Sequence, residues 1–360
     1  MKKTIYLFVA LLFCCFINAQ VITGYVYDEL ENKPLEAAFV YLDGTTINTT
    51  TDAKGFFQIK AASAYNAPLV VTFMGFENFV LDNPFSYNKP VKLLMKENSI
   101  ALDEVVINKN LPFTRKQMLK VFREEFLGLT PAGKSCTIEN EDDIKLTYNL
   151  SDNTLRASSK APLRIKNRRL QYNVSFNLVD FQVSYNMLTL SRLYINRSFY
   201  SGTTFFTDIS KDNSAEKKRK KSYLGSMVHL MKTIAGNSWP EEKFQLYVDR
   251  WPANPAKHFV ITDSLSYKKV YSVDDAKAPE SVGFITDAAT EKKEIIKNKK
   301  KERYAVLYDG KEQSSFELAN GYFYIDNNGL FSPIEEISFG GYMATLKAGD
   351  MLPADYKYEP

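Results

Sequence analysis

Hydrophobic and polar residues alternate with a period of two in the N-terminal quarter of the chain, and turn residues interrupt this alternation at short intervals. In residues 56–60, Phe57 and Ile59 fall on one face of a strand and the residues between them fall on the other. The preceding residues form a turn, because Asp52 can cap backbone N–H groups and Gly55 tolerates a positive φ. The pattern predicts seven short strands, at residues 21–27, 37–42, 46–51, 56–61, 69–74, 76–81 and 91–95.

Short strands at this spacing predict an antiparallel β-sandwich, which we place at residues 20–97. Residues 98–112 follow as a linker, and residues 113–360 are expected to form one larger α+β domain. The fold class that we predict is therefore mainly β, with the sandwich followed by a β-rich domain that carries two amphipathic helices.

Two stretches of the larger domain have the periodicity of amphipathic helices. Residues 114–127 begin with a capping box of Thr114 and Gln117 and stop before Gly128. Residues 214–235 carry a stripe of apolar side chains, and Gly236 is predicted to cap their C-terminal end.

Strand-like alternation fills most of the remaining larger domain. It includes a strand at residues 170–181 and another at 181–188, with Tyr172, Val174 and Phe176 on one face of the first. The Lys-rich residues 291–303 fit either a charged hairpin or a short helix.

The first 19 residues have the composition of a secretory signal peptide. Lys2 and Lys3 precede an apolar run at residues 5–16, which is too short to span a bilayer comfortably, and cleavage is predicted after Ala19. Lipidation at Cys14 or Cys15 stays open, although the bulky residues before them do not fit the usual lipoprotein signal. The sequence therefore predicts an exported protein.

Charge and cysteine content narrow the classes of function. Without the predicted signal peptide, 44 Lys and Arg oppose 42 Asp and Glu, and this balance argues against nucleic acid as a partner. Cys136 is then the only remaining cysteine, so we predict no intramolecular disulfide.

Separated positions in the sandwich carry a family pattern, namely Gly24-x-Val26-x-Asp28, Lys33-Pro34-Leu35-x-x-Ala38-x-Val40, Asp52-x-x-Gly55-x-Phe57-x-Ile59 and Met74-Gly75-Phe76. This pattern resembles the carboxypeptidase regulatory-like domain, a prealbumin-like module of exported Bacteroidetes proteins and of their TonB-dependent receptors. The resemblance implies an accessory module in the periplasm or on the periplasmic face of the outer membrane. A zinc carboxypeptidase needs two His and a Glu on its metal. The chain has only His229 and His258, and neither is followed by a Glu at the spacing that a ligand pair would use, so nothing supports a peptidase and we predict no metal and no cofactor.

The predicted linker contains a mixed apolar and acidic segment, Leu102, Asp103, Glu104, Val105, Val106 and Ile107. This segment is similar to the one that leads from the same module toward the plug of TonB-dependent receptors. It is a candidate for pairing with the sheet edge of a partner protein. A last strand of the sandwich, or a plain tether, is the simpler interpretation.

Five consecutive cations fall in the first turns of the second predicted helix, Lys217, Lys218, Arg219, Lys220 and Lys221. Positive charge there opposes the helix dipole, so an anionic lipid headgroup or an acidic partner would stabilise the run. We therefore list these residues as a candidate anionic-surface contact, with a solvated helix face as the simpler interpretation.

A second pattern combines Pro162-Leu163-x-Ile165-x-Asn167, Tyr223-x-Gly225-Ser226-x-x-His229 and Asp350-Met351-Leu352-Pro353-x-x-Tyr356. It resembles the uncharacterised region that follows the sandwich in many short Bacteroidetes envelope proteins. This resemblance covers most of residues 113–356, and it implies a compartment and an architecture without an activity.

No stretch of the sequence carries a recognisable catalytic constellation. Ser226 and His229 would touch on a helix, but no third group is evident, and we interpret His229 as a packed or helix-capping residue. Residues 139–143 offer acidic ligands for calcium, and a solvated turn fits their spacing better. We therefore predict a non-enzymatic accessory or binding protein of the Gram-negative envelope, with an outer-membrane or other envelope protein as its partner. The alternative is an exported hydrolase that acts on glycan or peptidoglycan through a carboxylate pair.

Overall fold

The computed structural model describes residues 20–98, 112–264, 266–273 and 303–358, and it describes the backbone alone for residues 281–286 and 293–298. The chain divides into two compact units, Met1–Ile107 and Asn108–Pro360. In the described residues, no helix is long and apolar enough to span a membrane.

The first unit is a sandwich of seven strands. Its strands are β1 (Gln20–Asp28), β2 (Phe39–Leu42), β3 (Asn48–Thr50), β4 (Phe56–Ala61), β5 (Leu69–Thr72), β6 (Phe79–Leu81) and β7 (Val91–Met95). One sheet has the order β4-β1-β7 and the other the order β3-β2-β5-β6. The predicted sandwich is confirmed, except that β1 and β7 pair in parallel rather than antiparallel.

The alternation in β4 has the predicted effect on burial. Phe57 and Ile59 are fully buried, while Gln58 and Lys60 are exposed to solvent. The turn before the strand is held by Asp52, whose Oδ1 accepts hydrogen bonds from two backbone N–H groups. The polar pattern and the turn chemistry therefore specify the same register.

The first half of the second unit packs one helix on a six-stranded sheet. Its elements are α1 (Arg115–Phe126), β8 (Cys136–Ile138), β9 (Ile144–Asn149), β10 (Thr154–Ser159), β11 (Leu163–Asn167), β12 (Tyr172–Tyr185) and β13 (Ile195–Asp208). Strand β12 is central, with β11 and β10 on one side and β13 on the other. The predicted capping box of Thr114 and Gln117 is present at the start of α1, and Phe122 and Phe126 of that helix contact the sheet.

The two strands predicted at residues 170–188 are in fact one strand, β12, with a register shift between Leu178 and Asp180. Val179 lies at this shift and its side chain is 76% exposed. The extra residue lets Phe181 and Val183 point into the same core as Val174, which strict alternation would not allow.

The second half of the second unit has its own core. Its elements are α2 (Glu216–Tyr223), α3 (Met227–Gly236), β14 (Phe244–Val248), β15 (Trp251–Ala253), β16 (Phe259–Ser264), β17 (Tyr267–Ser272), β18 (Ser281–Thr286), β19 (Lys293–Asn298), β20 (Arg303–Tyr308), β21 (Glu312–Leu318), β22 (Tyr322–Ile325), β23 (Phe331–Ser332), β24 (Ile337–Gly341) and α4 (Tyr342–Thr345). The sheets have the orders β15-β14-β20-β21-β24, β16-β17-β22-β23 and β18-β19. Residues 293–298 of the Lys-rich segment thus form a strand paired antiparallel with β18, as expected for a hairpin and not for a helix.

The prediction of one long helix at residues 214–235 is wrong, because the helix is interrupted between α2 and α3. Leu224 is extended and Gly225 has a φ of +76°, so the backbone turns before Ser226 caps α3. The C-terminal cap of α3 is also one residue later than predicted. Asn237, with a φ of +50°, takes the left-handed position in place of Gly236.

Candidate binding surfaces

The basic run of α2 does not form one exposed face, because Arg219 points into the protein and is only 7% exposed. Its guanidinium forms two hydrogen bonds of 2.8 Å with the carboxylate of Asp208. It also donates to the backbone oxygens of Leu170 and Gln171, and it lies 3.9 Å from the ring centroid of Tyr172. The bond from Arg219 lowers the pKa of Asp208 to about 2. Arg219 therefore holds α2 on the sheet and is withdrawn from the candidate anionic-surface contact.

The four lysines of the run have different surroundings. Lys217 and Lys221 lie one helical turn apart on the side opposite Arg219, and both are exposed. Lys218 is half-buried, and Lys220 lies 4.8 Å from the ring centroid of Tyr358. The surface that remains for an anionic partner consists of Lys217, Lys218 and Lys221.

The interruption of the helix also changes where the basic residues lie relative to the helix dipole. Because α2 ends at Tyr223, Lys220 and Lys221 lie in its last turn, where positive charge is favourable. Glu216 lies in the first turn, where negative charge is favourable. The expectation that the run opposes the dipole is therefore wrong for these two lysines.

The other candidate partner-binding segment, Leu102–Ile107, lies outside the described residues, and so pairing of this segment with a partner stays a prediction. The acidic residues near position 140 do have described partners. Glu141 forms a two-point ion pair with Arg123, and Asp143 accepts a hydrogen bond from Asn140. In the parts of the chain that the structure describes, no group of three or more potential ligands could hold a metal ion.

His229 is a structural residue at the corner between α2 and α3. The N–H of Gly225 donates to Nδ1 over 3.0 Å, so the ring proton lies on Nε2, which is 2.9 Å from Glu242 Oε2. Burial lowers the pKa of His229, which favours this neutral form. Ser226 accepts a hydrogen bond from the backbone of His229, and Tyr223 packs on the imidazole. With Nδ1 occupied, the imidazole is not available to deprotonate Ser226.

The buried carboxylates of the described residues all have structural partners. They are Asp28, Glu125, Asp326, Glu336 and Asp350. Three of them accept hydrogen bonds from backbone N–H groups of the turns that follow or face them: Asp28 from Leu30, Asp326 from Asn328 and Leu330, and Glu336 from Asn320 and Gly321. Glu125 is paired with Arg192, and Asp350 accepts from Thr130. These five carboxylates therefore stabilise the fold through their hydrogen bonds and ion pairs.

A cluster of one lysine and three tyrosines lies on the outer face of the sheet β16-β17-β22-β23, where two of the tyrosines are exposed and the other two residues are half-buried. We call it the tyrosine face, and it consists of Lys269, Tyr271, Tyr322 and Tyr324. The ammonium of Lys269 lies 4.6 Å from the ring centroids of Tyr271 and Tyr322 and 5.3 Å from that of Tyr324. Hydrogen bonds to the phenol groups of Tyr271 and Tyr324 raise the pKa of Lys269, so it stays charged.

Strand pairing explains why these four side chains meet. Tyr271 is paired with Tyr322, and Lys269 is paired with Tyr324, on neighbouring strands. Residues two apart on a strand share a face, so both pairs point outward while Val270 and Phe323 between them are fully buried. The exposed fractions of Tyr271 and Tyr322 are 38% and 40%.

The tyrosine face was missed at the level of sequence because strand β17 was not predicted. The Tyr322-x-Tyr324 spacing in the sequence was a visible signal of an aromatic outer face. Lys269-x-Tyr271 has the same spacing. What the sequence does not show is that the two strands are neighbours in one sheet.

Comparison with known proteins gives a family for the first unit. Residues 22–107 match the model of the CarboxypepD_reg-like domain family. The sandwich is a CarboxypepD_reg-like domain. This confirms the resemblance inferred from the sequence, and domains of this kind are non-catalytic.

Whole-chain comparisons add less. No curated protein matches the chain. Among solved structures, the chain is similar to a Bacteroides fragilis NCTC 9343 protein of unknown function that is described as a candidate membrane-associated protein. The identity is 13% and the TM-score is 0.18, over 86% of this chain and 95% of that one. A TM-score this low carries no argument about fold or function.

Proposed function

We propose that the chain is a non-enzymatic accessory or binding protein of the Gram-negative cell envelope that associates with an outer-membrane protein. The observation that carries this proposal is the non-catalytic CarboxypepD_reg-like domain at residues 22–107, preceded by residues with the composition of a signal peptide. Because the module is non-catalytic, we infer that the chain acts by binding.

The second unit supports a binding role in two ways. His229, which the sequence pairs with Ser226, holds a helix corner, and the buried carboxylates of the described residues accept hydrogen bonds from backbone and side-chain donors. The exposed groups, in contrast, have the chemistry of recognition surfaces. The tyrosine face and the lysines of α2 combine aromatic rings with accessible positive charge.

The proposal is tested by mild crosslinking in the native envelope, followed by purification of the tagged, full-length protein. We expect an outer-membrane protein to be recovered in stoichiometric amount, with the tagged protein in the membrane fraction. The control is an unrelated exported protein that carries the same tag at the same abundance. Recovery of the tagged protein alone, from the soluble periplasmic fraction, would contradict the proposal.

The competing hydrolase makes a different prediction for the same purified protein. It would turn over a peptidoglycan or glycan substrate, and replacement of one Asp or Glu by Asn or Gln would abolish that turnover without unfolding the chain. We expect no turnover on such a panel. The buried carboxylates named above are unsuitable for this test, because their replacement removes hydrogen bonds on which the fold depends.

A further inference from the structure

We propose that the tyrosine face is a docking surface for a protein partner that presents a segment rich in carboxylate side chains. This inference rests on the proposed function, since it names the chemistry of the partner that a binding protein of the envelope would recognise. It is carried by the charge of Lys269, the geometry of the three tyrosine rings around it, and the exposure of Tyr271 and Tyr322.

The charge of Lys269 is not neutralised within the described part of the chain. No carboxylate there forms an ion pair with it, although its neighbour Lys268 is paired with Asp263. Thr262 is the residue directly across from Lys269 on β16, and it is exposed and uncharged. Within the part of the chain that the structure describes, the face therefore has an uncompensated positive charge at its centre, which a negatively charged partner would complement.

The tyrosines add hydrogen-bond donors around this charge. Each phenol carries one O–H that can donate a hydrogen bond, and the rings of Tyr271 and Tyr324 lie 4.6 and 5.3 Å from the ammonium of Lys269. Tyr271 and Tyr324 can then donate to an oxygen of a ligand that approaches Lys269. A carboxylate accepts several such bonds at once, and charge-assisted bonds of this kind are strong.

The arrangement of the rings argues against a flat platform for a neutral sugar. The rings of Tyr271 and Tyr322 are inclined by 38°, and those of Tyr322 and Tyr324 by 89°, with centroids 6.2 Å apart in both pairs. Rings that surround a cation at these angles do not offer one coplanar stacking surface. They present edges and hydroxyl groups instead.

The surroundings of the face favour a protein over an acidic glycan. Val260, which is 47% exposed, is paired with Tyr271, so an apolar side chain continues the row formed by Tyr271 and Tyr322. A surface that combines aliphatic, aromatic and cationic groups matches a peptide with both apolar and acidic side chains. A uronate polymer offers the carboxylates without the apolar groups.

Binding of defined polymers by the full-length protein tests this inference. The probes are a random copolymer of glutamate and tyrosine, polygalacturonate, and polyglutamine as the uncharged control. We expect the glutamate–tyrosine copolymer to bind most tightly, with an affinity that falls as salt rises. Lys269→Gln is expected to weaken binding of this copolymer by about tenfold, since one charge-assisted contact is lost.

Two further variants keep the test independent of any loss of folding. Thr262→Glu leaves all four residues of the face in place and puts a carboxylate opposite Lys269, so it is expected to weaken binding to a similar degree. Lys92→Gln is the matched control. Lys92 also lies on a strand with its ammonium 4.7 Å from the centroid of one tyrosine, Tyr27, but in the other unit of the chain.

Three results would overturn the inference. The first is unchanged binding by Lys269→Gln, and the second is polygalacturonate binding as tight as that of the copolymer. The third is a loss of copolymer binding that follows replacement of Lys217, Lys218 and Lys221 instead of Lys269, which would assign the binding to α2.

Crosslinking of the same variants separates this inference from the proposed function. If Lys269→Gln still yields the outer-membrane partner at the wild-type level, the proposed function stands and the docking surface is wrong. If the wild-type protein yields no envelope partner but binds the copolymer through Lys269, the docking chemistry stands and the proposed function is wrong.

Discussion

Arg219 illustrates how neighbouring residues of one type take different roles. Its planar guanidinium reaches two backbone oxygens and a carboxylate at once, and the ring of Tyr172 covers one of its faces. A lysine has a single charged nitrogen and would satisfy only part of this set. The backbone oxygens of Leu170 and Gln171 and the carboxylate of Asp208 therefore explain why this position of the run is an arginine and not a lysine.

We expect Arg219→Ala to lower the free energy of unfolding by about 2–3 kcal/mol, because buried acceptors and Asp208 lose their partner. Arg219→Lys should fall between this variant and the wild type. Urea unfolding followed by circular dichroism measures both effects. The matched control is Lys217→Ala on the exposed side of the same helix, which should change stability by less than about 0.5 kcal/mol. An equal loss in the two alanine variants would contradict the assigned role of Arg219.

His229 predicts a dependence of stability on pH. Burial lowers its pKa in the folded protein below the ordinary value of 6.5, so the unfolded chain binds the proton more readily. The contribution of His229 to stability is thus present above pH 6.5 and is lost as the pH falls below it. The urea midpoint should drop between about pH 7.5 and pH 5.

Two histidine variants isolate this effect. In His229→Gln, an amide can still accept from Gly225 and donate to Glu242 but does not titrate, so the midpoint should change less over the same pH range. His258→Gln is the control, because it replaces a histidine while leaving the bonds of His229 to Gly225 and Glu242 in place. A dependence that survives in His229→Gln would show that other groups cause it.

At the scale of the elements, the corner between α2 and α3 explains several residues of one motif together. Gly225 provides the positive φ, Ser226 caps the next helix, and His229 bonds back to Gly225 while packing on Tyr223. Ser226 and His229 have the spacing of a nucleophile and a base, but in the structure Ser226 caps α3 and the imidazole of His229 accepts a hydrogen bond from Gly225.

Two glycines, one at this corner and one at the opposite end of α3, give opposite predictions. A Cβ at Gly225 would lie 2.9 Å from the Tyr308 ring on a backbone with positive φ, so Gly225→Ala should destabilise the protein by about 1–3 kcal/mol. Gly236 lies within α3, and a Cβ there makes only an ordinary 3.5 Å contact. Gly236→Ala should therefore stabilise the protein by up to about 1 kcal/mol, as measured by thermal and urea unfolding. If Gly236→Ala destabilised the protein instead, the result would support the sequence-based prediction that Gly236 is the C-terminal cap.

The outer side of α2 gives a prediction about membranes. If it contacts anionic surfaces, the wild-type protein will sediment with vesicles that contain phosphatidylglycerol, and less so as salt rises. Replacing Lys217, Lys218 and Lys221 by Gln should reduce this binding about tenfold or more, at roughly 1 kcal/mol for each lysine. The charge-matched control replaces Lys116, Lys120 and Lys134, which are exposed on other elements. Equal effects of the two triple variants would indicate unspecific attraction.

At the scale of the whole molecule, the second unit is closed by its C-terminal segment. The amide of Asn167 donates to the backbone oxygen of Gly349, and the N–H of Gly349 donates to Leu127. Ala348 belongs to the core formed by α1 and β8 to β13, although the chain reaches it only after completing the second core. The second unit therefore contains two hydrophobic cores. The chain passes from the first core to the second after β13, and it returns to the first core at Ala348.

We expect Asn167→Ala to lower the free energy of unfolding by about 2–3 kcal/mol, since the buried carbonyl of Gly349 and nearby N–H groups lose their partner. Gly349→Ala should also destabilise the unit, because its Cβ would lie 2.4 Å from the Cα of Gly133. The control is Asn173→Ala, at an exposed position of β12. If all three variants unfold at the same urea concentration, the C-terminal segment does not stabilise the first core.

Local chemistry in the sequence was sufficient wherever one element decided the outcome. The strand at residues 56–61 and the capping box of Thr114 and Gln117 depend on neighbours within a few residues. The family of the first unit also follows from such positions, because they are turn and core residues of a small sandwich. Sequence periodicity was insufficient where an irregular residue had a distant cause, as at Val179 and Gly225.

The sequence by itself determined that the chain is mainly β, that it begins with a sandwich of a known non-catalytic family, and that the following unit has amphipathic helices. These properties arise from residues that are close in the chain, whose side chains prefer a strand, a helix or a turn. Only the tertiary structure decided that Arg219 is buried, that His229 is held by Gly225 and Glu242, and that two strands bring Lys269 together with three tyrosines. Each of these depends on which segments are neighbours in space, and hydrophobic and polar periodicity carries no information about that choice.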